Sequence, residues 1–145
     1  MSIRFTFDPS EIDRKKLTNY LKSTTWQAGI GSKTLQRALH NSICISAFSG
    51  TEQVGFARVV TDKATFCWVD DVFVDSSFRG QGIAVKMLNE ILAHKELSSV
   101  ASWFLATGNQ DARRVFSRVG FLSLAEDRAD KMMALPKIQN ADYTS

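Results

Sequence analysis

A mixed α/β domain, of the α+β kind, is the fold this sequence predicts: a central sheet of about six to seven strands with about four helices, ordered β-α-α-β-β-β-α-β-α-β-β. Three observations predict it. Apolar residues run in strand-like stretches across 42–75, others fall at helical intervals across 83–92, and the glycine-containing heptapeptide FRGQGIA (78–84) joins the two patterns. A length of 145 residues with 44% hydrophobic content matches one domain, expected over 1–135, with enough apolar material for a core.

Ile3, Phe5 and Phe7 alternate with polar residues as in a half-buried strand, and Asp8-Pro9-Ser10 follows with turn and helix-start chemistry. A helix over 10–22 then carries Ile12, Leu17, Tyr20 and Leu21 as its apolar stripe. Residues 23–31 are rich in turn formers and hold one large aromatic, Trp26; a short helix near 33–40 turns Leu35 and Leu39 inward. Three strand runs come next, 42–49, 53–61 and 65–75, parted by turns at Gly50-Thr51 and Asp62-Lys63, and an antiparallel meander is the economical arrangement.

Gly82 opens a helix that places Ile83, Ala84, Met87, Leu88, Ile91 and Leu92 on one face, which packs on the sheet. The apolar run 100–106 then becomes a parallel partner of the 65–75 strand through a right-handed crossover. Asn109 caps a helix reaching about Val119, and Gly120 ends it in the left-handed conformation. Closing strands are expected over 121–124 and 131–135, followed by a polar tail at 136–145.

Bulk properties narrow the function classes. The net charge of +3 and pI near 9.0, with no dense Lys/Arg block, describe a solvated basic surface, and no nucleic-acid partner is expected. No stretch approaches the roughly 18 apolar residues of a membrane span, and MSIRFTFDPSEIDRKK lacks the apolar centre of a signal peptide. No membrane partner is expected, and a cytoplasmic location follows by default. Cys44 and Cys67 lie in apolar strand-like runs without CxxC spacing and read as buried free thiols. His40 and His94 stand on separate helical segments with no second ligand type nearby, so no metal is expected. A homodimer is left open.

Function enters at FRGQGIA. A strand delivers the chain, glycines expose bare amides and a helix N-terminus adds its positive end, which together make a backbone cradle for a phosphate-bearing ligand. A P-loop needs GxxxxGK(S/T), which is absent; a dinucleotide fingerprint needs GxGxxG, and in GQGIAV (80–85) Val85 stands at the third glycine. A third pattern fits. Arg79-x-x-Gly82-x-Ala84 matches Q/R-x-x-G-x-G/A, and NxxAxxxYxxxGF returns downstream as Asn109, Ala112, Phe116, Gly120 and Phe121. With both signatures and the element order, from about Ile3 to Leu135, the chain resembles the GNAT superfamily of N-acetyltransferases. GFARVVTD (55–62), DVFVDSSFRGQGIA (71–84) and FLAT (104–107) are similar to a bacterial branch of small acetyltransferases.

The resemblance implies the GNAT fold, acetyl-CoA as co-substrate and an amine acceptor. It implies that Gly80, Gln81, Gly82, Ile83 and Ala84 hold the pyrophosphate through main-chain groups, with Arg79 either a charged contact or a turn cap. Val72, Phe73 and Val74 would bond the pantetheine arm as a borrowed strand, and their side chains would be core. Asn109, Ala112 and Phe116 belong to the same cofactor region, with plain helix capping as the other role of Asn109. Trp26 and Thr25, beside Thr24, would line the acceptor entrance, or Trp26 simply packs.

Acetyl transfer needs a neutral amine, and a primary amine of pKa near 10.4 is neutral only to the order of one part in a thousand at pH 7. Asp70 and Asp71 are the candidate bases. Successive strand residues point to opposite faces, so one of the two should face the cleft, the alternative being a structural hydrogen bond or a bulge. Asp62 reads as a turn cap. The signature tyrosine that protonates the leaving thiolate in many family members is here Phe116, which can donate nothing. Either the thiolate departs without that acid or the chain is a weak or non-catalytic acyl-CoA binder; a general acid contributes about 100- to 10,000-fold.

Overall fold

The computed structural model describes residues 2–124 and 131–135. Its elements run β1 (Arg4–Thr6), α1 (Arg14–Lys22), α2 (Ser32–His40), β2 (Ser42–Ser49), β3 (Glu52–Thr61), β4 (Cys67–Val74), α3 (Ile83–Leu92), β5 (Trp103–Phe104) and α4 (Gln110–Val119). The strands form one sheet in the order β1-β2-β3-β4-β5. β1 to β4 pair antiparallel as a meander, and β5 returns parallel to β4 after α3.

Sheet residues alternate between two apolar layers. On one face Leu17 and Leu21 of α1 and Leu35 and Leu39 of α2 enclose Cys44, Phe56 and Phe73. On the other, Ile83, Met87, Leu88 and Ile91 of α3 and Phe116 of α4 cover Ile45, Ala57, Val59, Cys67 and Val69. Helical spacing of each apolar set explains why these segments coil, and burial against the sheet supplies the stability that helices of nine or ten residues lack alone.

Three expectations need correction. The helix expected over 10–22 is interrupted: Pro9–Glu11 makes a 3₁₀ turn, Ile12 turns extended, and Asp13 caps α1 afresh, accepting from the Lys16 N–H at 3.0 Å. The fifth strand is two residues, not the whole run 100–106. Among the described residues the sheet has five strands rather than six to seven. The closing strands at 121–124 and 131–135 do not form among the described residues, and Leu122, Met133 and Leu135 stand 88%, 97% and 80% exposed. A strand needs a neighbouring edge of matching length, and β5 supplies two residues. The tail at 136–145 lies outside the described residues.

Gly55 on β3 lets α3 sit close to the sheet. A Cβ there would lie 3.2 Å from both Cε and Sδ of Met87 and 3.3 Å from Cβ of Ala47. Gly55→Val is therefore expected to lower the unfolding free energy by about 1–3 kcal/mol through overpacking. Urea denaturation measures it, and an unchanged midpoint would contradict the close seating of α3.

Candidate active site

Strand β4 changes phase half-way along. Cys67 and Val69 join the α3 layer and so do Val72 and Val74, an odd step from 69 to 72 that regular alternation forbids. The slip is a β-bulge. Register passes from Arg58↔Asp70 to Phe56↔Phe73, leaving Asp71 and Val72 opposite the single residue Ala57, and Asp71 takes a left-handed φ of 50°. Aspartate tolerates that conformation better than most residues.

The bulge overturns the expectation that Asp70 and Asp71 point to opposite faces, because both carboxylates reach Arg58. Its Nε donates to Asp71 Oδ2 at 2.8 Å, its Nη2 to Asp70 Oδ2 at 3.2 Å, and its Nη1 to the Ser42 hydroxyl at 3.2 Å. Asp70 Oδ1 also accepts the Asp71 N–H at 2.9 Å. The two carboxylates differ in access. The Asp71 side chain is 3% exposed, with a buried Oδ1 that has no partner, whereas that of Asp70 is 28% exposed. Burial and the adjacent Asp71 charge raise the Asp70 pKa above the ordinary carboxylate value, against the pull of Arg58.

Beyond the bulge the edge of β4 is open. Pairing with β5 stops at Trp68↔Phe104, so among the described residues nothing in the sheet covers the later residues on that side. The Asp75 N–H bonds the Val54 carbonyl at 2.8 Å, which fixes the hydrogen-bond phase. Val74, opposite Gly55, therefore turns its N–H and C=O away from β3, and Val72 does the same two residues earlier. Two side chains meet these carbonyls: Tyr20 Oη donates to Val72 O at 3.2 Å, and Arg79 Nε donates to Val74 O at 3.1 Å. Arg79 thus has the turn-capping geometry. Phe73 points to the other layer, stacked between Tyr20 (4.3 Å) and Phe56 (6.0 Å).

The open edge runs into the glycine turn. Gly80 and Gly82 have φ of 78° and 76°, where a side chain would be strained, and a Cβ on either would meet nothing within 4 Å. Gly82 caps α3 with no side-chain bond, so the amides of the first turn, from Ile83 and Ala84 onward, are free for an anion. Gln81 is exposed between the glycines and the Ile83 side chain is buried, which leaves its main chain as the group on offer. An exposed donor edge leading into an uncapped, uncluttered turn fits an extended ligand with amide carbonyls at one end and a pyrophosphate at the other.

Other candidates divide. Asn109 caps α4, its Oδ1 accepting from Asp111 N–H at 2.9 Å and Ala112 N–H at 3.0 Å, which leaves Nδ2 to reach outward. Ala112 is half-buried against the α3 layer. Phe116 is 9% exposed and meets the Phe121 ring edge-on at 6.1 Å, a core aromatic. Trp26, 56% exposed, and exposed Thr25 lie in the loop between α1 and α2. Thr24 instead turns inward, its hydroxyl donating to Leu21 O at 2.7 Å and accepting the Gln27 N–H at 3.1 Å. Asp62 is the turn cap expected, accepting the N–H groups of Ala64, Thr65 and Phe66. Cys44 and Cys67 are buried free thiols, and burial pushes Cys44 up to about 12, far from a nucleophilic thiolate. Among the described residues no group of three or more His, Cys, Asp or Glu converges as a metal site would, and no helix is long and apolar enough to cross a membrane.

Sequence reading did not single out Arg58 or place Tyr20. A signal for Arg58 existed: two adjacent acids inside WVDDVFV need a counter-charge, and Arg58 is the cation inside the preceding apolar strand. Tyr20 carried no such signal.

Residues 14–121 match the acetyltransferase (GNAT) family. The chain belongs to that family. This GNAT domain is 29% identical to a protein of the family from Xanthomonas campestris pv. campestris, with a TM-score of 0.82 covering 100% of this chain and 99% of that one. A protein of the family from Streptococcus pneumoniae (20% identity, TM-score 0.69, 95% and 97% covered) shares the fold. So does a predicted acetyltransferase from Clostridium acetobutylicum solved with acetyl-CoA (16%, 0.66, 93% and 95%). No curated protein matches the chain. The family transfers acetyl groups from acetyl-CoA.

Removing the guanidinium would leave Asp71 buried and unpaired in this GNAT domain. Arg58→Met is expected to cost about 3–5 kcal/mol of unfolding free energy by chemical denaturation, the size seen when one partner of a buried ion pair is deleted. A loss below about 1 kcal/mol would show that the bulge does not depend on Arg58.

Proposed function

We propose that this chain transfers acetyl from acetyl-CoA directly to the primary amine of a small molecule or peptide. The observation that carries the reading is the open edge of β4: Val72 and Val74 turn away from β3, without a β5 partner, and lead straight into the uncapped glycine turn. Acetyl-CoA brings a thioester whose carbonyl carbon is open to attack. The main chain of Val72, Phe73 and Val74 holds the pantetheine arm, and Gly80, Gln81, Gly82, Ile83 and Ala84 hold the pyrophosphate with Arg79 steadying the turn. Asn109 Nδ2 reaches toward the arm, while Ala112 and Phe116 pack beneath it. Trp26 and Thr25 border the acceptor entrance. Neither buried cysteine suits an acyl-enzyme, which favours direct transfer.

Asp70 is the base, and Asp71 orients it through Arg58 and holds the bulge. Asp70 is the carboxylate with solvent access, and its raised pKa makes it a stronger base than an ordinary aspartate. Activity then falls as pH drops through that raised value, because protonated Asp70 cannot take the amine proton. Stability runs the opposite way: Asp70 contributes most below its unfolded-state pKa, and the contribution is lost as pH rises through the folded one.

Buried Phe116 favours a second reading, an acyl-CoA binder without turnover. Two measurements separate the readings. Calorimetry with acetyl-CoA should show binding that Gly82→Val weakens at least tenfold, since valine is strained at φ 76°; indifference to that change defeats the cofactor assignment. CoA release over a panel of primary amines should show an acidic limb in the pH profile that Asp70→Asn removes, with a rate loss of about 100-fold. Binding without release from any amine would leave the second reading standing.

A further inference from the structure

Among the described residues Tyr20 is the one tyrosine, and its hydroxyl lies on the open edge of β4, in contact with the main chain of Val72. Stacking on Phe73 and its place on α1 hold the ring in that position. Around it stand Asp71, Asp70 and Arg79, all close enough to act on its ionisation; burial, then the Asp71 charge, raise its pKa, so the phenol is protonated at neutral pH. Phe116, at the signature tyrosine's position, is buried in the opposite layer and has no proton to give.

We infer that Tyr20 Oη is the proton donor to the leaving sulphur, the role Phe116 cannot fill. This rests on the acetyl-transfer reading above. As the amine nitrogen bonds to the acetyl carbon, the C–S bond breaks and its electron pair goes to sulphur. The phenolic proton of Tyr20 goes to that sulphur, giving the thiol of CoA, while the proton lost by the amine goes to Asp70. Asp70 returns one proton through solvent to the tyrosinate, and the balance is amine plus acetyl-CoA giving amide plus CoA. Acid and base then both belong to the Arg58 side of the bulge, and α4 contributes packing alone.

The test uses the full chain, Tyr20→Phe, which keeps the ring on Phe73, and calorimetry with CoA and with desulpho-CoA, whose thiol is replaced by hydrogen. Wild-type protein is expected to bind CoA about threefold to tenfold more tightly than desulpho-CoA, and Tyr20→Phe to bind both alike, as loss of one hydrogen bond to sulphur requires. CoA release from acetyl-CoA, with the fastest amine of the panel or with water, should fall about 100-fold in kcat with KM within twofold. Equal wild-type affinity for CoA and desulpho-CoA overturns the inference, as does full turnover by Tyr20→Phe. Loss of CoA binding by Tyr20→Phe, with the wild type showing no preference for the thiol, also overturns it and assigns Tyr20 to folding. Wild-type protein that binds no CoA at all overturns the cofactor reading itself, a result distinct from each of these.

Discussion

One guanidinium, Arg58, binds the carboxylates of two consecutive residues, and the course of β4 follows from that contact. A regular strand cannot present neighbours to the same face, so both bonds require the bulge. The left-handed Asp71 costs about 1–2 kcal/mol, and taking Arg58 and Asp71 out of water costs more. Charge-assisted bonds to Arg58 offset these terms only while all three partners are present. What the arrangement secures is position. By shifting the phase of β4, it aims Val72 and Val74 together at the side where β5 has already parted from the strand.

From that edge the site is a line of backbone groups with a change of character along it. Near the bulge the groups are strand amides, suited to an uncharged arm. Further on, positive-φ glycines and the free first turn of α3 concentrate N–H groups that suit an anion. Side chains at either end settle the carbonyls of the edge, Tyr20 at Val72 and Arg79 at Val74. Two acceptors are thereby engaged and the neighbouring donors stay exposed, which biases the edge toward ligands rich in carbonyls and against pairing with another strand.

How much of this was legible in the sequence depended on whether the cause was local. Gly82 opens α3 and Gly120 ends α4 in the left-handed conformation, both as read from the sequence, and Asn109 and Asp62 cap as expected, because each is decided by residues within four positions. Helix 10–22 failed for a related reason: Asp8 and Asp13 are both competent caps, and the pattern of apolar residues does not say that the chain restarts between them. The bulge was open as one alternative, yet its partner Arg58 lies on another strand and enters only through register. Tyr20 was a stripe residue on a helix; its meeting with the Val72 carbonyl, 52 residues away, is a product of packing. The closing strands expected at 121–124 and 131–135 depend on a neighbouring edge, which the local sequence does not report.

The difference between Asp70 and Asp71 is likewise a matter of placement and not of residue type. Asp71 is buried against the Arg58 guanidinium, and that pair holds the bulge. Asp70 is held by the same cation but reaches solvent, and its pKa is lifted because a second negative charge stands beside it. Replacing Asp71 by a neutral residue would therefore remove one cause of Asp70's basicity as well as one anchor of the strand. Structure and chemistry at this bulge are coupled: the residue that fixes the backbone also helps to set the proton affinity of the residue that reaches solvent.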